Sequence, residues 1–376
     1  MKITDVKTFI VGNPWKNWVF VKLYTDEGLT GVGETTVGEQ AKPTEAEVHE
    51  LSRFYMGMDP RHPTRVWEQM HKGLFFRASH AANAIETACW DILAKSLGAP
   101  LWQLFGGKMH DRLRVYANAW YKGPRDPGFF RDKAAEVVGM GYTALKFDPF
   151  GSAHRTLSRE EERLSVSLVA AVREGVGDDV DILVEGHDRF SVSTAIRIGR
   201  QIADYGPMWF ETPVRSVDIP ATVAVANAID VPVAVGEMYD QIGQFAELLE
   251  HRVVNIVQPE PLQLGIGTTR QACALAYAYE AVVALHQAQS PLATAICAHL
   301  HAAQPNFLIQ ECFDDFLEPW ARDCVPGVPV PNDGYIEVPD APGLGVDLDE
   351  AEMAKHPYHP DAFIRLFEDG WESRRR

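Results

Sequence analysis

A chain of 376 residues with 46% hydrophobic content can bury one large core or two domains. Its net charge of −17 disfavours nucleic acid and anionic membranes as partners, and no run approaches the roughly 18 apolar residues of a membrane span. Five cysteines (Cys89, Cys273, Cys297, Cys312, Cys324) form no CxxC pair, and the start "MKITDVKTFIVG" lacks the features of a secretory signal, so a cytoplasmic protein with reduced thiols is expected.

Residues 2 to 36 read as strands. "KITDVKTFIVG" and "NWVFVKLYTDEGLTGVGETT" alternate apolar and polar positions, with Asp26-Glu27-Gly28 as a hairpin turn. From Thr44 to about Gly106 the period becomes helical. "PTEAEVHELSRFYMG" and "HAANAIETACWDILAKSLGAPLWQLFGG" carry apolar residues at three- and four-residue steps and end on glycine. Residues 1–112 are therefore expected to form an α+β domain.

A different regime begins at "RVYANAW" (114–120). Short apolar strands follow at "YTALKF" (142–147), "VDILVE" (180–185), "MWFE" (208–211), "VPVAVGE" (231–237), "VVNIVQPE" (253–260), "VVALH" (282–286) and "FLIQE" (307–311). Amphipathic helices such as residues 159–177 separate them. Eight strand–helix units with fully apolar strands predict an α/β fold with a closed parallel sheet, a TIM-type barrel, over residues 113–330. The Gly- and Pro-rich end, "DGYIEVPDAPGLGVDLDE", is expected to return to the first domain, so that 331–376 completes it.

Three of the predicted strands end on glutamate. Glu185, Glu211 and Glu237 are spaced 26 residues apart, about one βα unit, which places them at the same height on the C-terminal rim where barrel enzymes keep their chemistry. Converging carboxylates repel in a low-dielectric pocket, and a hard divalent cation relieves this. Ligation by oxygen alone, with room for water, suits Mg²⁺. Lys146 and Asp148 end the second strand, Glu260 the sixth, His286 the seventh and Glu311 the eighth. His187, two residues after Glu185, has the side-chain parity to face the same cavity. A carboxylate beside an imidazole fixes its tautomer and raises its basicity, as a general base requires.

Together these features resemble the enolase superfamily, in particular its mandelate racemase-like subgroup and the galactonate- and gluconate-type acid-sugar dehydratases within it. The likeness runs over nearly the whole chain, through "AIETACWDILAKSLGAPLWQLFGG", "GYTALKFDPFG", the glutamate triplet, "QPE", "IQECFDD" and the tail "EPWARDC…DGYIEVPDAPGLGVDLDE". It implies a modified TIM (β/α) barrel with an N-terminal α+β capping domain. It also implies Mg²⁺-assisted removal of the proton α to a carboxylate, giving an enediolate. In that scheme His286 is the base, oriented by Glu260, and Glu311 hydrogen-bonds the carboxylate oxygen not held by the metal. His187, in Glu185-Gly186-His187, protonates the departing 3-hydroxyl. Three carboxylates and Mg²⁺ leave one negative charge, so Lys146 is the candidate to hold the substrate carboxylate.

The chain also departs from this pattern. Asp148 stands where some relatives carry a second lysine base, and Glu260 where the dyad residue is usually Asp. Asp148 is expected instead to accept hydrogen bonds from substrate hydroxyls. The segments "VGNPWKNW" (11–18) and "DPRHPTRVWEQMHKGLFFR" (59–77) are expected to close over the barrel mouth, with Trp15 and Arg77 touching a polyhydroxylated chain. The resemblance further implies a homo-oligomer, a dimer or an octamer.

The leading expectation is thus dehydration of an aldonate or aldarate to its 2-keto-3-deoxy acid. Racemisation, epimerisation or lactone cycloisomerisation would share the enediolate but need a different second partner. A metal-dependent hydrolase would recruit several histidines to its metal, which the all-carboxylate triplet lacks. A non-catalytic sugar-acid binder would keep the fold without a positioned base.

Overall fold

Alternating apolar positions draw the first residues into an antiparallel sheet. In the computed structural model, which describes residues 1–38 and 40–373, this sheet comprises β1 (Ile3–Asn13), β2 (Lys16–Thr25) and β3 (Thr30–Glu34), in that order. β2 is apolar on both faces because both are covered. Val21 and Leu23 pack with Ile85 and Ala88 in one cluster, while Trp18 and Phe20 join the barrel's own core. Four helices follow: α1 (Ala41–Glu50), α2 (Ser52–Tyr55), α3 (Pro63–Gly73) and α4 (His80–Ser96). The Ser79 hydroxyl accepts from the N–H of Ala82 at 3.0 Å and starts α4. α4 is buried along most of its length, lying between β3 and a barrel helix.

The second unit alternates β4 (Arg112–Ala117), α5 (Pro127–Gly139), β5 (Ala144–Phe147), α6 (Arg159–Val176), β6 (Asp181–Glu185), α7 (Val192–Ile202), β7 (Trp209–Glu211), α8 (Ile219–Ala226), β8 (Val233–Val235), α9 (Ile242–Glu250), β9 (Ile256–Val257), α10 (Pro261–Ala278), β10 (Val282–Val283), α11 (Pro291–Ala302) and β11 (Gln310–Cys312). Neighbouring strands from β4 to β10 pair in parallel, and β11 pairs in parallel with β4. The ring closes where the Val283 N–H donates to Asn306 O at 2.8 Å and the Leu308 N–H to Val283 O at 2.9 Å. Inside, one apolar side chain per strand forms a layer: Tyr116, Ala144, Leu183, Trp209, Ala234, Ile256, Ala284 and Ile309. The architecture is the expected modified TIM barrel with an N-terminal α+β unit.

Two details correct the sequence reading. Among the described residues β11 is not followed by an α-helix. Short 3₁₀ turns at Asp314–Phe316 and Pro319–Ala321 lead instead to β12 (Tyr335–Glu337), which runs antiparallel to β4, because the proline- and glycine-rich segment between cannot propagate a helix. Several strands are also shorter than their apolar runs. Pro259, which has no N–H to donate, follows the two-residue β9 closely.

Beyond β12 the chain runs back over the N-terminal sheet and ends after α12 (Glu350–Met353) and a last turn at Trp371–Ser373. The Gly12 N–H donates to His356 O at 2.9 Å, Asn17 Nδ2 to His359 O at 2.8 Å and Lys22 Nζ to Asp347 at 2.8 Å. All five cysteines are buried free thiols. Among the described residues no helix is long and apolar enough to cross a membrane.

Candidate active site

Successive strand residues alternate faces, so the side chains two positions beyond the inner apolar layer point to the axis again. This rule builds a polar layer from Asn118, Lys146, Glu185, Glu211, Gln258, His286 and Glu311, one residue from each of seven strands or their continuations. On the remaining strand the place falls to Gly236, and Glu237 comes one residue later. The expectation of equal height is therefore corrected: Glu185 and Glu211 are register partners, but Glu211 pairs with Ala234, three residues before Glu237. Gly236, at φ 138°, turns the chain inward where an L-residue would be strained. One oxygen of each glutamate then lies within 4.8 Å of the others.

Lys146 Nζ stands among the acids, 3.1 Å from Glu185 Oε2, 2.5 Å from Glu211 Oε1 and 2.8 Å from Glu311 Oε1. Trp209 Nε1 donates to Glu211 at 2.8 Å, and Thr212 Oγ1 and the His187 N–H donate to Glu185 at 2.8 and 2.7 Å. Burial, and then the charge of Glu185, hold the Glu211 carboxyl well above the usual range; Glu237 is raised by the same two causes. At Glu185 burial is outweighed by His187 and Lys146, and its carboxyl is held low. Burial and mutual repulsion thus disfavour full negative charge on the three carboxylates together. An oxygen-only set of three converging carboxylates whose charges repel fits a hard divalent cation.

His286 and Glu260 meet. His286 Nδ1 lies 2.6 Å from Glu260 Oε2 and its Nε2 3.0 Å from Glu237 Oε2. The side chain one methylene longer than Asp reaches the ring from the residue preceding α10, while its other oxygen accepts from the Leu262 N–H at 2.9 Å. Against burial, Glu237 and Glu260 push the imidazole up to about 10. On the other side His187 Nδ1 lies 2.6 Å from Asp148 Oδ2. Against burial, Glu185 and then Asp148 raise the His187 ring. His187 faces the cavity for another reason than strand parity: β6 has ended, and His187 and Asp188 take φ of 48° and 56°.

Asn118, Lys146, Glu185, His187, Glu237, Glu260, His286 and Glu311 line a cavity of about 360 Å³, together with Trp15, Lys16, His80, Tyr121, Gln289, Phe313 and Trp371. Trp15 stacks on Phe313 with centroids 5.4 Å apart, and Lys16 Nζ donates to Ala288 O at 2.6 Å. The turn of segment 11–18 thus reaches the barrel mouth. Segment 59–77 does not, and Arg77 is exposed, its Nε donating to Leu74 O at 3.3 Å. The helical turns of α3 hold that segment against α4; Thr36, Val37 and His80 line the cavity on that side.

Asp148 also departs from expectation. It is fully buried, outside the cavity lining, with Oδ1 accepting from the Phe150 N–H at 2.8 Å and Oδ2 shared by His187 and Arg189. No oxygen is left for a substrate hydroxyl. Glu311 accepts from Lys146, Asn118 Nδ2 at 2.8 Å and the Gln287 N–H at 2.9 Å. Against burial, Lys146 and His286 hold its carboxyl low, so it is an acceptor here.

Sequence reasoning missed Asn118 and Arg189. Asn118 carried the signal that marked Glu185, a polar residue closing an apolar strand. A lone arginine after a strand reads as a surface group, yet Arg189 is fully buried.

Comparisons with known proteins place both units of the chain in a family. Residues 6–106 match the mandelate racemase/muconate lactonizing enzyme N-terminal domain, and residues 130–352 the enolase C-terminal domain-like family. A D-gluconate dehydratase of Thermoproteus tenax is 35% identical over 92% of this chain and 71% of its own length. A D-gluconate/D-galactonate dehydratase of Picrophilus torridus is 31% identical over 96% and 93%. A solved enolase-superfamily member from Salmonella Typhimurium superposes with a TM-score of 0.89 at 31% identity, over 95% of this chain and 98% of its own. With both domain models matched across most of its length, the chain belongs to the mandelate racemase/muconate lactonizing enzyme family of the enolase superfamily.

Proposed function

We propose that this protein is a Mg²⁺-dependent dehydratase of a sugar acid, an aldonate or aldarate. The observation that carries the reading is the pair of carboxylate-bound histidines, His286 on Glu260 and His187 on Asp148, lining one cavity with Glu185 and Glu237 of the glutamate triplet. With Nδ1 held by Glu260, His286 presents Nε2 to take the proton from the α-carbon, and the electron pair moves into the carboxylate as an enediolate. Lys146 holds the substrate carboxylate. His187, kept protonated by Glu185 and Asp148, gives its proton to the leaving β-hydroxyl, which departs as water; the enol then tautomerises to the 2-keto-3-deoxy acid. Bound to Glu185, Glu211 and Glu237, a divalent cation supplies positive charge where the carboxylate gains negative charge. Glu311 assists at the substrate carboxylate only once it gains a proton. Trp15 forms the apolar wall against the sugar chain.

The named activities of the relatives support dehydration. A racemase needs a second base on the His187 face; Asp148 is locked to Arg189, and the His187 ring is raised, against burial, toward its protonated, acid form by Glu185 and Asp148. We read residues 1–112 with 331–376 as the capping domain, 113–330 as the catalytic barrel, and the whole as a cytoplasmic homo-oligomer; the tail's bonds to β1 and β2 and the five free thiols support the first and third points.

The test is a panel of aldonates and aldarates assayed for keto product with Mg²⁺ and again with a chelator. Product from a narrow set, abolished by the chelator, is expected. No product from any acid, or stereochemical inversion without loss of water, contradicts the reading.

A further inference from the structure

We infer that Glu86, on α4 of the N-terminal unit, is a positioning residue for the Glu260–His286 pair, acting through a break in α10. The inference rests on His286 being the base of the proposed reaction. α10 is not continuous: Gly265, at φ 77° and ψ 164°, interrupts it after its first turn. A helix that restarts presents N–H groups with no partner of its own. Glu86 Oε1 accepts from the Gly267 N–H at 3.1 Å and from Trp90 Nε1 at 3.0 Å, so a side chain from the other unit caps the restarted helix. A β-carbon at Gly265 would meet Glu86 Oε2 at 2.3 Å, so only glycine admits this approach.

One turn earlier on α4, Asn83 Nδ2 donates to Gln263 O at 2.6 Å, and its Oδ1 accepts from Trp67 Nε1 at 3.0 Å. The stretch from Glu260 to Gly267 is therefore gripped by Asn83 at a carbonyl and by Glu86 at an N–H. That same stretch carries Glu260, aimed at His286 Nδ1. Glu86 itself is 2% exposed and lies outside the cavity lining, so it touches no substrate. Burial pushes its carboxyl up to about 7, and among the described residues no cationic side chain pairs with it.

Glu86→Ala is expected to lower kcat about 10- to 100-fold with KM and Mg²⁺ affinity unchanged, the scale of a misaimed catalytic group. Glu86→Gln, which keeps the acceptor for Gly267 and Trp90, is expected to recover most of the rate. A second readout needs no turnover: the far-downfield proton resonance of the His286 Nδ1–H held against Glu260, assigned by its loss in His286→Gln. It is expected to weaken in Glu86→Ala and persist in Glu86→Gln, while the His187 signal, held by Asp148, stays. If Glu86→Ala does not fold, Asn83→Ala frees the same turn from its other side and carries the same expectation. An unchanged His286 resonance in the folded variant, or equal losses of rate in the Ala and Gln variants, overturns the inference. A shifted resonance in a protein that dehydrates no sugar acid supports the positioning and removes only the functional reading.

Discussion

A histidine with a carboxylate on each ring nitrogen is an imidazolium, and it becomes a base only when one of them is drawn away. Glu237 is that partner for His286, and it is also one of the three candidate ligands. A cation bound there would compete for Glu237, lower the His286 ring from about 10 and oppose the burial that raises Glu211. Net proton release on Mg²⁺ binding at pH 7.5 is expected, measured by calorimetry in buffers of differing ionisation enthalpy; buffer-independent heats would contradict it. Asp148 makes a second residue-scale case. Its carboxylate neutralises Arg189, and both are fully buried. Asp148→Ala leaves that guanidinium uncompensated, and a loss of about 3–5 kcal/mol in urea unfolding is expected. His187→Gln, which leaves Asp148 and Arg189 paired, should instead keep the stability and abolish dehydration while α-proton exchange in D₂O continues. Loss of both reactions would assign His187 to proton abstraction.

At the scale of the strand, alternation explains which acids could be read in advance. Glu185, Glu211 and Glu311 lie two residues beyond Leu183, Trp209 and Ile309 of the apolar layer, so an apolar run ending in an acid was enough to find them. Glu237 was found by a spacing that coincided, whereas its placement comes from the turn at Gly236. Gly236→Ala adds strain at φ 138° and a β-carbon 3.0 Å from the Gln258 backbone N. An approximately tenfold loss of Mg²⁺ affinity by titration calorimetry is expected, the equivalent of ~1–2 kcal/mol. Unchanged affinity would show that Glu237 reaches the cluster without that turn. Arg77 and Asp148 were misread for a shared reason. A charged residue near a predicted loop was assigned to substrate, but the partner that claims it, a carbonyl one turn away or a buried arginine, lies on contacts that periodicity does not encode.

Over the whole molecule, the seam between the N-terminal unit and the barrel holds two buried carboxyls. Glu34 accepts from Ser290 Oγ at 2.5 Å, across from β3 to the start of α11, and Glu86 reaches α10. Burial pushes each up from 4.5 to about 7. The folded protein therefore keeps these protons while the unfolded chain releases them, so each group removes stability as pH rises from about 4.5 to about 7, on the order of 3 kcal/mol per group. Urea midpoints of the metal-free protein should fall across that window, and Glu86→Gln should flatten the fall; a parallel decline would place the titration elsewhere. These long-range partners escape a reading by local pattern, whereas the alternating strands and helices made the barrel plain. The central claim is that the three glutamates, brought together by β6, β7 and the turn after β8, hold a divalent cation. A crystal structure of the protein grown with Mg²⁺ tests it most directly. One ion bridging oxygens of Glu185, Glu211 and Glu237, with Glu237 withdrawn from His286, is predicted; Lys146 still paired to Glu185 and Glu211, with no ion among the carboxylates, would contradict it.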